Sequence, residues 1–204
     1  MHRRRGAFFV TLQLMFSIEP NELLRQMAEE DDRHAFRSLY DIMHKSLYDF
    51  ALAIVKLREP AEEITADVFI RLWERRKTLG HSRIRSCRLY LFMCIKNASL
   101  NHLRDNKRPE QLNLDEISLA DWNLETNPEE LLITAEMAAH LDKAIRDLPV
   151  QCGIIFRLVK EEGLSYKEAA QLLELSEKTI ENQIAIALKK IRQAISFKIP
   201  VRQS

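Results

Sequence analysis

The chain has 204 residues, 46% of them hydrophobic and 30% charged, which excludes an intrinsically disordered protein and allows one large domain or two small ones. Only 4 Gly and 6 Pro accompany abundant Leu, Ala, Glu, Lys and Arg, and no alternating Val/Thr/Tyr run marks a strand, so an all-α fold is expected. The formal net charge of +1 conceals three blocks. Arg83 to Arg108 holds seven basic residues against one acid, Asp105. Pro109 to Asp142 holds nine acids and no Lys or Arg, and from Lys178 to Arg202 the chain is basic again except for Glu181. That order suits two phosphate-facing modules joined by a segment that avoids or imitates nucleic acid; solvated helix faces give the same pattern.

The first segment, 1–16, starts with Arg3-Arg4-Arg5 and an apolar run from Ala7 to Phe16. Thr11 and Gln13 interrupt the run, no small-residue cleavage site follows, and it is too short to span a bilayer. A tail is expected here, or a true start at Met15 rather than Met1. Cys87, Cys94 and Cys152 are odd in number, without a CxxC, which argues for buried thiols in a reducing compartment. With His81 and His102 they lack zinc-finger spacing, so neither metal nor cofactor is expected.

A first helical module is expected over 17–108. Pro20 can begin a short helix, and Asp31 or Asp32 can cap a longer one carrying Phe36, Leu39, Tyr40, Met43, Leu47, Tyr48 and Phe50 through Ile54. Glu59-Pro60 is expected to break it. The next helix has Ile64, Val68, Phe69, Leu72 and Trp73 as its apolar stripe, and a basic loop from Lys77 to Arg88 surrounds Gly80. The last helix of this half carries Tyr90, Leu91, Met93, Cys94, Ile95, Ala98, Leu100 and Leu103, and ends before Pro109. Residues 109–128 form an acidic linker with scattered apolar anchors such as Leu114 and Trp122.

The second module is expected over 129–196, followed by a tail at 197–204. One helix ends at Leu148-Pro149 and another at Gly163. Ser165 and Glu168 then form a capping-box pattern, with Ala169, Ala170, Leu172 and Leu173 as the inner face of the helix they open. Ser176 can cap a second helix, whose Ile180, Ile184, Leu188 and Ile191 fall on one side. Two short helices joined at Glu174-Leu175 match a helix-turn-helix, whose second helix enters the DNA major groove.

Leu148-Pro149, the run Gly163-Leu-Ser-Tyr-Lys-Glu and the end Ala187-Leu-Lys-Lys-Ile-Arg192 together resemble the carboxy-terminal domain of bacterial sigma-70 factors, in particular the two-domain extracytoplasmic-function group. Asp32 to Tyr40, Ala61 to Trp73 and Tyr90 to Arg104 are similar to the three signature helices of that family's first domain, in the same order. The resemblance covers roughly residues 20–196. The run from Lys178 to Ile184 most resembles sigma factors of the Bacteroidetes type.

The resemblance implies a cytoplasmic initiation factor with no active site of its own and no small-molecule substrate. Residues 17–108 would be sigma region 2 and 129–196 sigma region 4. The helix with Glu62, Glu63, Asp67, Phe69, Leu72 and Trp73 would dock on the β′ clamp helices of core RNA polymerase, and region 4 on the β flap. Arg83, Arg85, Arg88, Lys96, Asn97, Arg104, Lys107 and Arg108 would hold and open the −10 element, Asn97 matching a family position that contacts a flipped base; cations suit phosphates and an amide suits an exposed base edge. Lys178, Thr179, Glu181, Asn182, Ala185, Ile186 and Lys189 would meet the −35 element, where Asn pairs with adenine and Glu accepts from cytosine. Ile186 replaces an Arg common in the family, and Glu174 replaces the turn's usual Gly. The family also implies an anti-sigma partner, commonly membrane-anchored. The rival reading is a stand-alone helix-turn-helix regulator with a helical sensor. A carboxylate-bridged metal enzyme would need two Glu-x-x-His pairs, which the chain does not have.

Overall fold

The computed structural model describes residues 19–81, 84–106, 141 and 143–196. The tail at 1–16, the linker at 109–128, the first turns of the second module, the tail at 197–204, and Arg83, Lys107 and Arg108 lie outside the described residues. The described residues are all-α.

Helix α1 spans Pro20–Glu30, with Pro20 in the first turn, where a missing N–H costs nothing. Asp31 ends it in the left-handed region at φ 58°, and Asp32 caps α2, Arg33–Val55, by accepting from the His34 N–H at 2.7 Å. Ala35, Leu39, Met43, Leu47 and Phe50 form the buried stripe of α2. From Asp49 to Val55 every α2 residue is buried, and α2 packs against α1, α3 and α4.

The break after α2 is at Lys56, in the left-handed region at φ 61°, and not at Glu59-Pro60. Helix α3 runs Arg58–His81, so Glu59 and Pro60 lie in its first turn. Pro60 is tolerated there because the first helical amides have no carbonyl partner to lose. The helix also continues through Lys77–Gly80, where a loop is expected from the sequence; Leu79, packed against the core, anchors the added turn. Helix α4, Cys87–Asp105, begins at Ser86, whose hydroxyl accepts from Leu89 N–H at 3.2 Å. Asn21 of α1 fixes this start by accepting from Cys87 N–H at 2.6 Å and donating to the Arg85 carbonyl at 3.3 Å.

In the second module, residues 143–146 are helical and Leu148 is buried. Helix α5, Val150–Phe156, continues into a π-helical turn, Arg157–Glu161, a widening with no sequence signature. Gly163 follows at φ 72°. Helix α6 is Tyr166–Leu173 and α7 is Glu177–Ser196. The capping box forms in full: Glu168 N–H donates to Ser165 Oγ at 3.2 Å, and Ser165 N–H donates to Glu168 Oε2 at 2.8 Å. Ser176 accepts from Thr179 N–H at 3.0 Å. The buried stripe of α7 is Ile180, Ile184, Ala187 and Ile191; Leu188, expected on it, is exposed, because the smaller Ala187 takes the inward position. No described helix is long and apolar enough to cross a membrane.

Candidate nucleic-acid interface

Helix α7 is held from behind. Gln183 donates to Gln151 Oε1 at 3.0 Å and accepts from the Cys152 thiol at 2.6 Å, tying α7 to α5. Its outward face carries Glu177, Lys178, Glu181, Asn182, Ala185, Ile186, Lys189 and Arg192, all exposed. Thr179 is different: it is half-buried and its hydroxyl lies 2.8 Å from Ser176 Oγ, so it completes the cap and is not presented outward. Lys178 Nζ lies 2.8 Å from Glu181 Oε2. The face therefore offers one amide, one paired carboxylate, two small or apolar contacts and further cations, a set able to read base edges between phosphate contacts.

On α4, Asn97, Leu100, Asn101 and Arg104 line a concavity of about 410 Å³. Asn97 and Asn101, one helical turn apart, give it two amides, and Arg104 adds a cation that lies 3.7 Å from Asp105. Asn101 was not singled out from the sequence; its i+4 spacing from Asn97 is the signal. Arg85 is exposed. Two expected DNA contacts are placed differently. Lys96 is buried, and its ammonium donates to the Leu172 carbonyl at 2.9 Å and to Glu174 Oε1 at 2.6 Å. Arg88 is half-buried and donates to the Glu162 carbonyl at 3.2 Å. Both are taken up by the second module.

On α3, Glu62, Glu63 and Asp67 are exposed. Phe69 and Leu72, expected on the same partner surface, are instead core residues at 2% and 1% exposure. Trp73 is half-buried, its ring 5.1 Å from that of Phe36 and covered by the Arg76 guanidinium at 4.0 Å. Ile70, which the apolar stripe did not flag, is 55% exposed. Glu63, Asp67, Ile70 and Glu74 follow one another at i, i+4, i+7 and i+11, so the outward stripe of α3 is acidic with one apolar residue at its middle.

Residues 39–109 match the family described as Sigma-70 region 2, and residues 139–191 match Sigma-70, region 4. The chain belongs to the sigma-70 family, in its extracytoplasmic-function branch. Among curated relatives it is similar to the ECF RNA polymerase sigma factor RpoE of Cereibacter sphaeroides, 24% identical over 176 residues that cover 85% of this chain and 93% of that one. It is similar also to the ECF RNA polymerase sigma factor SigM of Bacillus subtilis, 22% identical over 76% of this chain and 91% of the relative. A solved structure of the sigma factor RpoE of Bartonella quintana, in complex with the anti-sigma factor NepR, aligns with 80% of this chain and 98% of its own at 16% identity and a TM-score of 0.47. As a sigma factor the chain is a transcription initiation factor, a DNA-binding protein that works with core RNA polymerase. The residues matched to region 2 hold α2 from Leu39 onward, α3 and α4, and those matched to region 4 hold α5, α6 and α7 as far as Ile191.

Proposed function

We propose that this sigma factor grips a promoter at two points while docked on polymerase through α3. The observation that carries the reading is the pairing, on one chain, of a packed recognition helix with an outward polar face and a second helix bearing an amide- and arginine-lined concavity. The α7 face, through Lys178, Glu181, Asn182, Ala185, Ile186 and Lys189, reads the −35 element; Ile186 offers a thymine methyl an apolar contact and gives up the guanine contact an Arg would make. The α4 concavity receives an unstacked base of the −10 strand between Asn97 and Asn101, with Arg104 on the phosphates. Exposed Arg85 adds a cation before the start of α4, and Arg83 and Lys107, which flank α4 in the sequence, are assigned to the same strand.

The polymerase contact is the stripe Glu62, Glu63, Asp67, Ile70 and Glu74, with Trp73 at its border; Phe69 and Leu72 support it from the core. An apolar centre within a charged rim suits a protein partner. Region 2 is residues 17–108, region 4 is residues 129–196, and the acidic linker at 109–128 tethers them. The protein acts in the cytoplasm, without cofactor, and its regulator is an anti-sigma protein anchored at the membrane.

In vitro transcription tests the reading. Purified core polymerase, with and without the full chain, is given a template carrying DNA from upstream of the gene for this chain. Initiation at a defined start only when the chain is present is the expected result. Polymerase binding without promoter-dependent initiation on any upstream template would sink the proposal.

A further inference from the structure

The core face of α7 is apolar, with Ile180, Ile184, Ala187 and Ile191 buried. Gln183, half-buried beside that face, breaks the pattern. Two successive residues of α5 engage both ends of its amide. Gln183 Nε2 donates to Gln151 Oε1 at 3.0 Å, and Gln183 Oε1 accepts from the Cys152 thiol at 2.6 Å. Cys152 is buried, and that burial pushes its thiol up, so it stays protonated and able to donate.

We infer that Gln183 is a positioning residue for promoter discrimination. Its grip on α5 fixes the rotation of α7 about its own axis, and with it the aim of Asn182 and Ile186 at base edges. The inference rests on the reading that α7 meets the −35 element. Apolar contacts are non-directional, so the buried stripe holds α7 against α5 but tolerates turning and sliding. Hydrogen bonds weaken steeply off their preferred line, so an amide gripped at both ends resists turning. The displacement at stake is large enough to matter. Side-chain ends lie about 5–6 Å from a helix axis, so a turn of about 20° moves them roughly 2 Å. A base contact held at roughly 2.7–3.2 Å does not survive that shift. Asn182 directly precedes Gln183 and Ile186 follows it by three positions, so the grip sits at the middle of the reading face. Stability gives a weaker reason for the amide, because apolar groups of the same shape in place of a hydrogen-bonded pair are nearly neutral.

The test uses the full chain with core polymerase, as wild type, Gln183→Met, Gln151→Met and Gln151→Glu. Methionine matches the length of glutamine without its hydrogen bonds, whereas Gln151→Glu keeps an acceptor for Gln183 Nε2. Templates share one start site and −10 segment and differ in a randomised −35 segment; sequencing of the transcribed templates reads the preference. Anisotropy reads polymerase affinity, and circular dichroism reads the melting temperature. The wild type should enrich a defined −35 sequence. Both Met variants should lose about fivefold of that preference, the low end of what one bidentate base contact contributes. Their polymerase affinity should hold, and their melting temperature should stay within about 4 °C, the shift expected from one hydrogen bond. Gln151→Glu should keep the preference. An undiminished preference in both Met variants overturns the positioning role, as does a loss in Gln151→Glu equal to that in Gln151→Met. A preference that falls in both Met variants only together with polymerase affinity and a larger drop in melting temperature assigns the amide to the fold and overturns it too. A wild type without any −35 preference instead sinks the reading of α7 as the −35 helix, and the positioning role with it.

Discussion

Phe69 and Ile70 are neighbours in α3, and alanine at the two positions should fail in opposite ways. The Phe69 ring is 2% exposed and packs 4.8 Å from the Tyr40 ring and 6.3 Å from those of Phe36 and His44. Truncating a buried Phe costs about 3–5 kcal/mol. For a chain of this size each kcal/mol lowers the melting temperature by roughly 2–4 °C, so Phe69→Ala should lose on the order of 10 °C. Ile70 is 55% exposed and supports little of the fold, so Ile70→Ala should change stability by less than about 0.5 kcal/mol. Roughly half of its side chain is left for a partner to cover. That half is worth about 1–1.5 kcal/mol at the usual return for apolar burial, or about tenfold in affinity. Thermal unfolding followed by circular dichroism reads the first quantity, and anisotropy with labelled core polymerase reads the second. If Phe69→Ala melts like the parent yet loses polymerase, or Ile70→Ala binds polymerase undiminished, the division of α3 into a core face and a partner face is wrong.

Asn182→Ala should reduce −35-dependent transcription by about five- to a hundredfold, the worth of one bidentate base contact, while polymerase affinity stays unchanged; equal loss of both would refute a DNA role. Ser165→Ala should cost about 1 kcal/mol in urea unfolding, because it removes the hydroxyl that accepts from Glu168 N–H, whereas Ser165→Thr should retain most of the stability. The Cys87 thiol is pushed up to about 12 by burial, against an ordinary value of 9.0. Its stabilising contribution is thus intact below pH 9 and is lost as pH rises toward 12, since the unfolded chain gives up that proton first. At pH 8, alkylation of Cys87 followed by mass spectrometry should run far slower in the folded chain than in urea; equal rates would contradict the burial argument.

Local features were legible in the sequence because their causes are local. The Ser165–Glu168 box, the Ser176 cap and the stripe from Leu39 to Phe50 depend on residues within a few positions of one another. Pro60 misled because a proline that breaks a helix and one that opens a helix look alike until the preceding end is known, and that end is set by Lys56 in an uncommon backbone region. In α7, Leu188 is the larger apolar residue, but Ala187 lies at i+7 from Ile180 and closes the stripe. On α3, periodicity places Phe69 and Leu72 on the apolar stripe, where the structure buries them; their assignment to a partner came from the resemblance alone. Lys96 was the least legible, since its acceptors lie 76 and 78 residues away and belong to the other module.

The pair Lys178–Glu181 bears on how this sigma factor should respond to ionic strength. DNA binding gains free energy when lysines displace the sodium or potassium ions condensed along the duplex, and each phosphate so neutralised adds about 0.9 to the slope of log affinity against log salt. At 2.8 Å from Glu181, Lys178 already has its counterion, supplied by the protein itself. A carboxylate that accompanies the lysine to the groove offsets that lysine's share of the released ions. The region 4 contact should therefore show a slope shallower by about one ion than its count of cations suggests. A larger part of its affinity would then come from base edges, which makes promoter choice less sensitive to changes in salt.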